Sequence, residues 1–281
     1  MPRKKAADTS TIYECPAELL QNLIRFDTTN PPGNEAECVG YIDGLLKGLG
    51  IETTLLEKEA GRPSLIARLP GEGKAAPLLL QGHVDVVPTA GQDWSHPPFD
   101  AELIDGYIWG RGALDMKAGV TMMLSAFMKA KAEGASLPGE VILCILSDEE
   151  AGGRMGAKFL VEEHADLFKD VKYAFGEFGG FTLYMDDKRF YPIMVGEKQI
   201  CWLKLTMKGP AGHASRPIRG AAMGKMAKII QTLDQKRLPV HVTPPVRMMI
   251  ESISMEMPIA KRTLLNQLLN PRLTDRILDV M

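Results

Sequence analysis

PLLLQGHVDVVP, residues 77–88, decides the fold. Leu78-Leu79-Leu80 is a short, continuous apolar run, the pattern of a strand buried on both faces. It ends on Gly82-His83-Val84-Asp85. His83 and Asp85 are separated by one residue, so in an extended chain their side chains leave the same face. Working outward, the next polar landmark is GYIWGRGALDMKAG, residues 106–119. It delivers Asp115 between a glycine-rich loop and a helix-like run. A strand offering His-x-Asp and a loop offering a second Asp point to a metal site. Ordinary loop residues after a buried strand are the plainer reading of the same letters.

EVILCILS, residues 140–147, is the clearest central strand. It is β-branched, apolar and ends on Asp148-Glu149-Glu150 and two glycines. Acids clustered after a buried strand must be solvated, protonated or bound to a cation. The carboxyl end of a strand is where open α/β sheets build their sites. An acidic first turn of a helix would use the same residues. Val171 to Phe175 reads as a further short strand, and Glu177 follows it between glycines.

The remaining elements alternate. Helices are predicted over Pro16–Phe26, from about Asn34 to Leu49, Lys117–Glu133 and Arg154–Glu163. Strands are predicted over Ile51–Leu56 and Ser64–Leu69. Asp105-Gly106 marks a hairpin turn between 101–103 and 107–109. The loop from Pro88 to Phe99 carries Trp94 and His96, which either shape a site or pack the loop down. This is an α/β chain. From about Tyr191 the composition changes. Ile200–Met207 alternates as a half-exposed strand, Gly209–Pro217 is a loop bearing His213, Ser215 and Arg216, and Gly220–Leu233 is a helix. His241–Arg247 is broken by prolines, and Leu264–Val280 holds one or two short helices.

Bulk composition narrows the function. The chain has 281 residues, 45% apolar and 24% charged, with a formal net charge of −2. Those values suit a soluble globular protein of more than one unit. They give no sign of nucleic-acid or membrane binding. The N-terminus, MPRKKAADTS, lacks an apolar segment after its basic residues and reads as a disordered arm rather than a secretory signal. The four cysteines are scattered, which suits a reducing, cytoplasmic setting.

Taken together, GHVDVVP, GRGALDMKAG, SDEEAGG, GEFGG and GHASRP resemble the zinc-dependent amidohydrolases and exopeptidases. These include aminoacylases, acetylornithine deacetylase, succinyl-diaminopimelate desuccinylase and glutamate carboxypeptidase. The resemblance runs from about Ala17 to Pro217. It implies a three-layer catalytic domain with a mixed central sheet, residues 1–195. It also implies part of a smaller α+β, ferredoxin-like lid and dimerisation domain, residues 196–281. His83 and Glu177 would hold a first zinc, Glu150 a second, and Asp115 would bridge them. Cobalt or manganese suits the same donors. Asp85 would orient His83. Glu149 would be the general base, passing a proton from water to the leaving amine. His213 would stabilise the oxyanion, reaching into a partner's site in a homodimer. Arg216 is a candidate for the substrate carboxylate on chemistry alone. The substrate implied is a small N-acylated amino acid or dipeptide. The family's late histidine for the second zinc has no counterpart among His83, His96, His164, His213 and His241. A chain truncated at its C-terminus, acting as an inactive or single-metal binding or assembly module, is therefore the alternative. A dehydrogenase is disfavoured because no dinucleotide-binding glycine fingerprint is present.

Overall fold

The computed structural model describes residues 9–177, 182–196, 201–213, 215–216 and 219–279. The basic arm over 1–8, the last two glycines of GEFGG, Ala214 and Pro217 of GHASRP, and Val280 lie outside them. Two units are present, residues 1–178 and 179–281.

The first unit is built on a five-stranded mixed sheet. Its strands are β1 (Thr53–Leu56), β2 (Ser64–Leu69), β3 (Leu78–His83), β6 (Val141–Leu146) and β7 (Tyr173–Phe175), in the order β1-β2-β6-β3-β7. β1 and β2 pair antiparallel, as do β2 and β6, whereas β6, β3 and β7 run parallel. β6 lies in the middle, as its unbroken apolar sequence requires. Leu143 and Ile145 pack on one face with helices α1 (Pro16–Ile24), α2 (Ala36–Gly48) and α3 (Lys117–Ala132). Ile142, Cys144 and Leu146 pack on the other with α4 (Ala157–Glu163) through Phe159 and Leu160. The result is three layers. Gly82 lets α3 approach β3 closely: a Cβ there would stand 2.8 Å from the Met116 side chain.

β4 (Glu102–Ile104) and β5 (Tyr107–Trp109) form the hairpin that Asp105-Gly106 predicts. Both turn residues have positive φ, 51° and 85°, as a type I′ turn demands.

The second unit holds the β8–β9 hairpin (Leu183–Met185, Lys188–Phe190) and helices α5 (Ala222–Gln235), α6 (Pro244–Met255), α7 (Ile259–Gln267) and α8 (Thr274–Leu278). Two sequence expectations fail here. The strand expected from Ile200 to Met207 is absent over its described residues, 201–207. An alternating segment becomes a strand only beside another edge, and none of the described strands pairs with it; Trp202 is 90% exposed. The segment expected to be broken by prolines instead opens a helix. Pro244 and Pro245 occupy its first turn, where the missing N–H costs no hydrogen bond. No helix among the described residues is long and apolar enough to cross a membrane.

Candidate metal centre

The parallel trio β6-β3-β7 brings the polar residues together. Three strands running the same way end at the same edge, with β3 in the centre. Register places His83 opposite Leu146 and Leu80 opposite Phe175. The residues after β6, Asp148 to Glu150, and those after β7, Gly176 and Glu177, therefore flank His83. Asp115 arrives from the loop that opens α3, across a cis Asp115–Met116 peptide.

His83 is 2% exposed. Its Nδ1 lies 2.9 Å from the Asp85 carbonyl oxygen and 3.3 Å from Asp85 Oδ1. Its Nε2 faces three carboxylates: Asp115 Oδ1 at 3.3 Å, Glu149 Oε2 at 3.7 Å and Glu177 Oε2 at 3.7 Å. That Nε2 is buried and has no hydrogen-bond partner among the described residues. Ligand atoms of His83, Asp115 and Glu150 lie within 4.8 Å of one another, and so do those of His83, Glu149 and Glu177. An imidazole anchored through Nδ1, with Nε2 aimed at converging carboxylates, is the donor set of a hard-to-borderline divalent cation. The residues fit zinc.

Electrostatics agree with the geometry. Burial and then the Asp115 charge push Glu150 up to about 7, against the pull of His83. Burial and Asp115 likewise hold Glu177 above the usual carboxylate range. Burial works against the charged form of His83. The Asp85 and Glu149 carboxylates outweigh it and raise the imidazole to about 9. Burial and neighbouring negative charge favour the protonated acid, and a bound cation would favour the ionised one.

Asp85 is fully buried, and its two oxygens accept the backbone N–H groups of Glu149 and Glu150, each at 3.0 Å. Burial alone would raise its pKa; the His83 ring, the Asn30 amide and the Glu149 N–H hold it below the usual range instead. His213 and Arg216 lie in the second unit, both exposed. His213 Nδ1 is 2.8 Å from Ser215 Oγ, and the Arg216 N–H donates to the His213 carbonyl at 3.0 Å. Neither residue belongs to the ligand groups above.

Sequence reading passed over several buried polar residues beneath the cluster. Lys117 is fully buried and donates to the carbonyls of Leu23 at 3.0 Å and Phe26 at 2.8 Å, tying α3 to the end of α1. Burial lowers its pKa. Asp148, read as one acid of three, is buried and paired with Arg62 at 3.1 Å. Arg62 also makes a two-pronged contact with the buried Glu35, at 2.7 and 3.1 Å. Each partner is far away in sequence, so no local pattern marks these pairs.

Known proteins fit this picture. A family profile described as Peptidase family M20/M25/M40 matches residues 79–258. Aminoacylase-1 of Sus scrofa is 30% identical over 217 residues, 76% of this chain and 52% of that protein. Succinyl-diaminopimelate desuccinylase of Wolinella succinogenes is 35% identical over 201 residues, 71% of this chain and 51% of that protein. Human carnosine dipeptidase 1 superposes with a TM-score of 0.51 at 21% identity, over 60% of this chain and 39% of that one. The M20 family metallo-carboxypeptidase Sso-CP2 of Sulfolobus solfataricus gives 0.51 at 24% identity, over 58% and 37%. These structural matches share the mixed α/β architecture. The chain spans about half the length of the curated relatives it matches.

Proposed function

The chain belongs to peptidase family M20/M25/M40, and from that premise we propose that it hydrolyses the amide bond of a small N-acylated amino acid or dipeptide. The observation that carries this reading is the orphaned, buried His83 Nε2 facing carboxylates from three segments. The relatives named aminoacylase and desuccinylase lend the substrate class.

In this reading His83 and Glu177 would hold one zinc, Glu150 would hold a second, and Asp115 would contribute to both sites. A carboxylate suits sharing because its two oxygens can face different ions. A bound zinc pair supplies a Lewis acid and an acidified water near neutral pH. Asp85 keeps the His83 ring turned so that Nε2 points at the cluster. Glu149 is the general base. Its side chain is half exposed, so it can meet an entering substrate, while its backbone N–H is fixed by Asp85. It takes the proton of the attacking water and delivers it to the amine nitrogen as the carbon–nitrogen bond breaks. We assign residues 1–195 to the catalytic domain and 196–281 to part of the lid, with His213 stabilising the oxyanion and Arg216 the substrate carboxylate. A homodimer through the lid and a cytoplasmic setting complete the proposal.

The test is release of free amino acid from a panel of N-acetyl amino acids and dipeptides. Release that a chelator abolishes and zinc restores supports the reading. Release unaffected by the chelator, or none from any substrate by the zinc-loaded chain, overturns it.

A further inference from the structure

We propose that Asn30 is a positioning residue for Glu149 and Glu150. Thr28 to Asn30 runs beside the end of β3. The Val86 N–H donates to the Thr28 carbonyl at 3.1 Å, and the Asn30 N–H donates to the Val86 carbonyl at 2.8 Å. This pairing carries the Asn30 side chain beneath the cluster, where it is 2% exposed. Its amide nitrogen donates to Asp85 Oδ2 at 2.8 Å and to Asp148 Oδ1 at 3.1 Å. One NH2 group thus joins two buried carboxylates that would otherwise repel each other.

Both carboxylates hold the loop after β6. Asp85 takes the N–H groups of Glu149 and Glu150. Asp148 sits at a φ of 66°, a conformation unfavourable for a residue other than glycine. It is held there from several sides. Its Oδ2 accepts the Met155 N–H at 3.0 Å, its Oδ1 pairs with Arg62, and its own N–H donates to Glu35 Oε1 at 3.3 Å. Ser147 Oγ donates to the Arg62 carbonyl at 3.0 Å. The backbone from Ser147 to Glu150 is therefore pinned residue by residue. Asn30 is the link between the Asp85 half of this network and the Asp148–Arg62–Glu35 half.

The arrangement has a chemical purpose that bulk stability does not require. Glu149 and Glu150 are adjacent, and adjacent side chains diverge. One must reach a metal and the other a proton, so the peptide between them has to be fixed. Small displacements at such a centre are costly, and groups that orient ligands typically govern metal affinity by about 10–100-fold. The amide NH2 can serve both carboxylates, whereas a serine has one hydrogen to give, and an aspartate has none when ionised and would add a third negative charge.

The metal arm of the test rests on the metal reading above; the exchange arm does not. Wild type, Asn30→Asp and Asn30→Ser are compared by amide hydrogen exchange without metal, and by zinc titration. Exchange at Glu149 and Glu150 should rise at least about tenfold in the variants, while amides of Ile142 to Ile145 stay near wild type. Zinc affinity should fall by about 10–100-fold. Unchanged exchange at Glu149 and Glu150, or equal acceleration throughout β6, overturns the proposal. So does unchanged zinc affinity in both variants. Asn30→Ser adds no charge, so it is the variant to read if Asn30→Asp does not fold. A wild type that binds no zinc would sink the metal reading while the exchange arm still decides the role of Asn30.

Discussion

α3 and α5 carry similar apolar stripes and treat them differently. In α3, Val120, Leu124, Phe127 and Met128 are buried against the sheet. In α5, Met223, Ile230 and Leu233 are 60–80% exposed. Across the described residues the contrast is general: beyond position 178, Met257 is the only buried apolar residue. Apolar periodicity is enough to specify a helix, but burial needs a surface to receive it. In the first unit that surface is the two-faced sheet centred on β6. The same sheet explains where the chemistry lies. Parallel strands with a common end bring His83, Glu149, Glu150 and Glu177 together, and the loop opening α3 brings Asp115. In the second unit His213 and Arg216 sit on an exposed loop, held by contacts within the loop.

This contrast can be broken by substitution. Glu149→Gln should lower turnover by about 10²–10⁴-fold with zinc content unchanged, measured by amine release and elemental analysis. Equal turnover would remove its role as base. Arg62→Ala should destabilise the first unit by about 3–5 kcal/mol, because Glu35 and Asp148 would be left as uncompensated buried charges. A denaturant midpoint near wild type would show that water reaches them. Leu143→Ala, which empties a fully buried site in β6, should cost about 2–5 kcal/mol by the same unfolding measurement. Ile230→Ala in α5 should change stability by less than about 0.5 kcal/mol. A large loss there would mean that this stripe is covered in solution, and the contrast between the two units would disappear.

Much of the first unit was legible from sequence because its signals are local. β2 falls where its apolar run predicts, β6 takes the middle of the sheet, and Asp105-Gly106 turns the predicted hairpin. Glu149, Glu150 and Glu177 were legible as acids after strands, a position where burial and charge conflict, and Asp115 as an acid between a glycine-rich loop and a helix. What stayed hidden depends on distant partners. Asn30 lies in TTNPPG, residues 28–33, a stretch whose letters break the first helix and turn the chain, and its contacts need the distant Asp85 and Asp148. Lys117 reads as the first residue of a helix, and its burial depends on the carbonyls of Leu23 and Phe26 at the end of α1. In the second unit the errors ran both ways. Pro244 and Pro245 look like breakers but suit a helix start, whereas residues 201–207 alternate like a strand with no edge beside them.

The most direct test of the central claim is zinc stoichiometry, by elemental analysis of the folded wild-type chain and of Asp115→Ala. The expected result is at least one tightly held zinc per wild-type chain and none in the variant, with both chains folded by circular dichroism. A folded wild type without zinc, or equal zinc in the two chains, would contradict the assignment of His83, Asp115 and the strand-end glutamates as a metal centre.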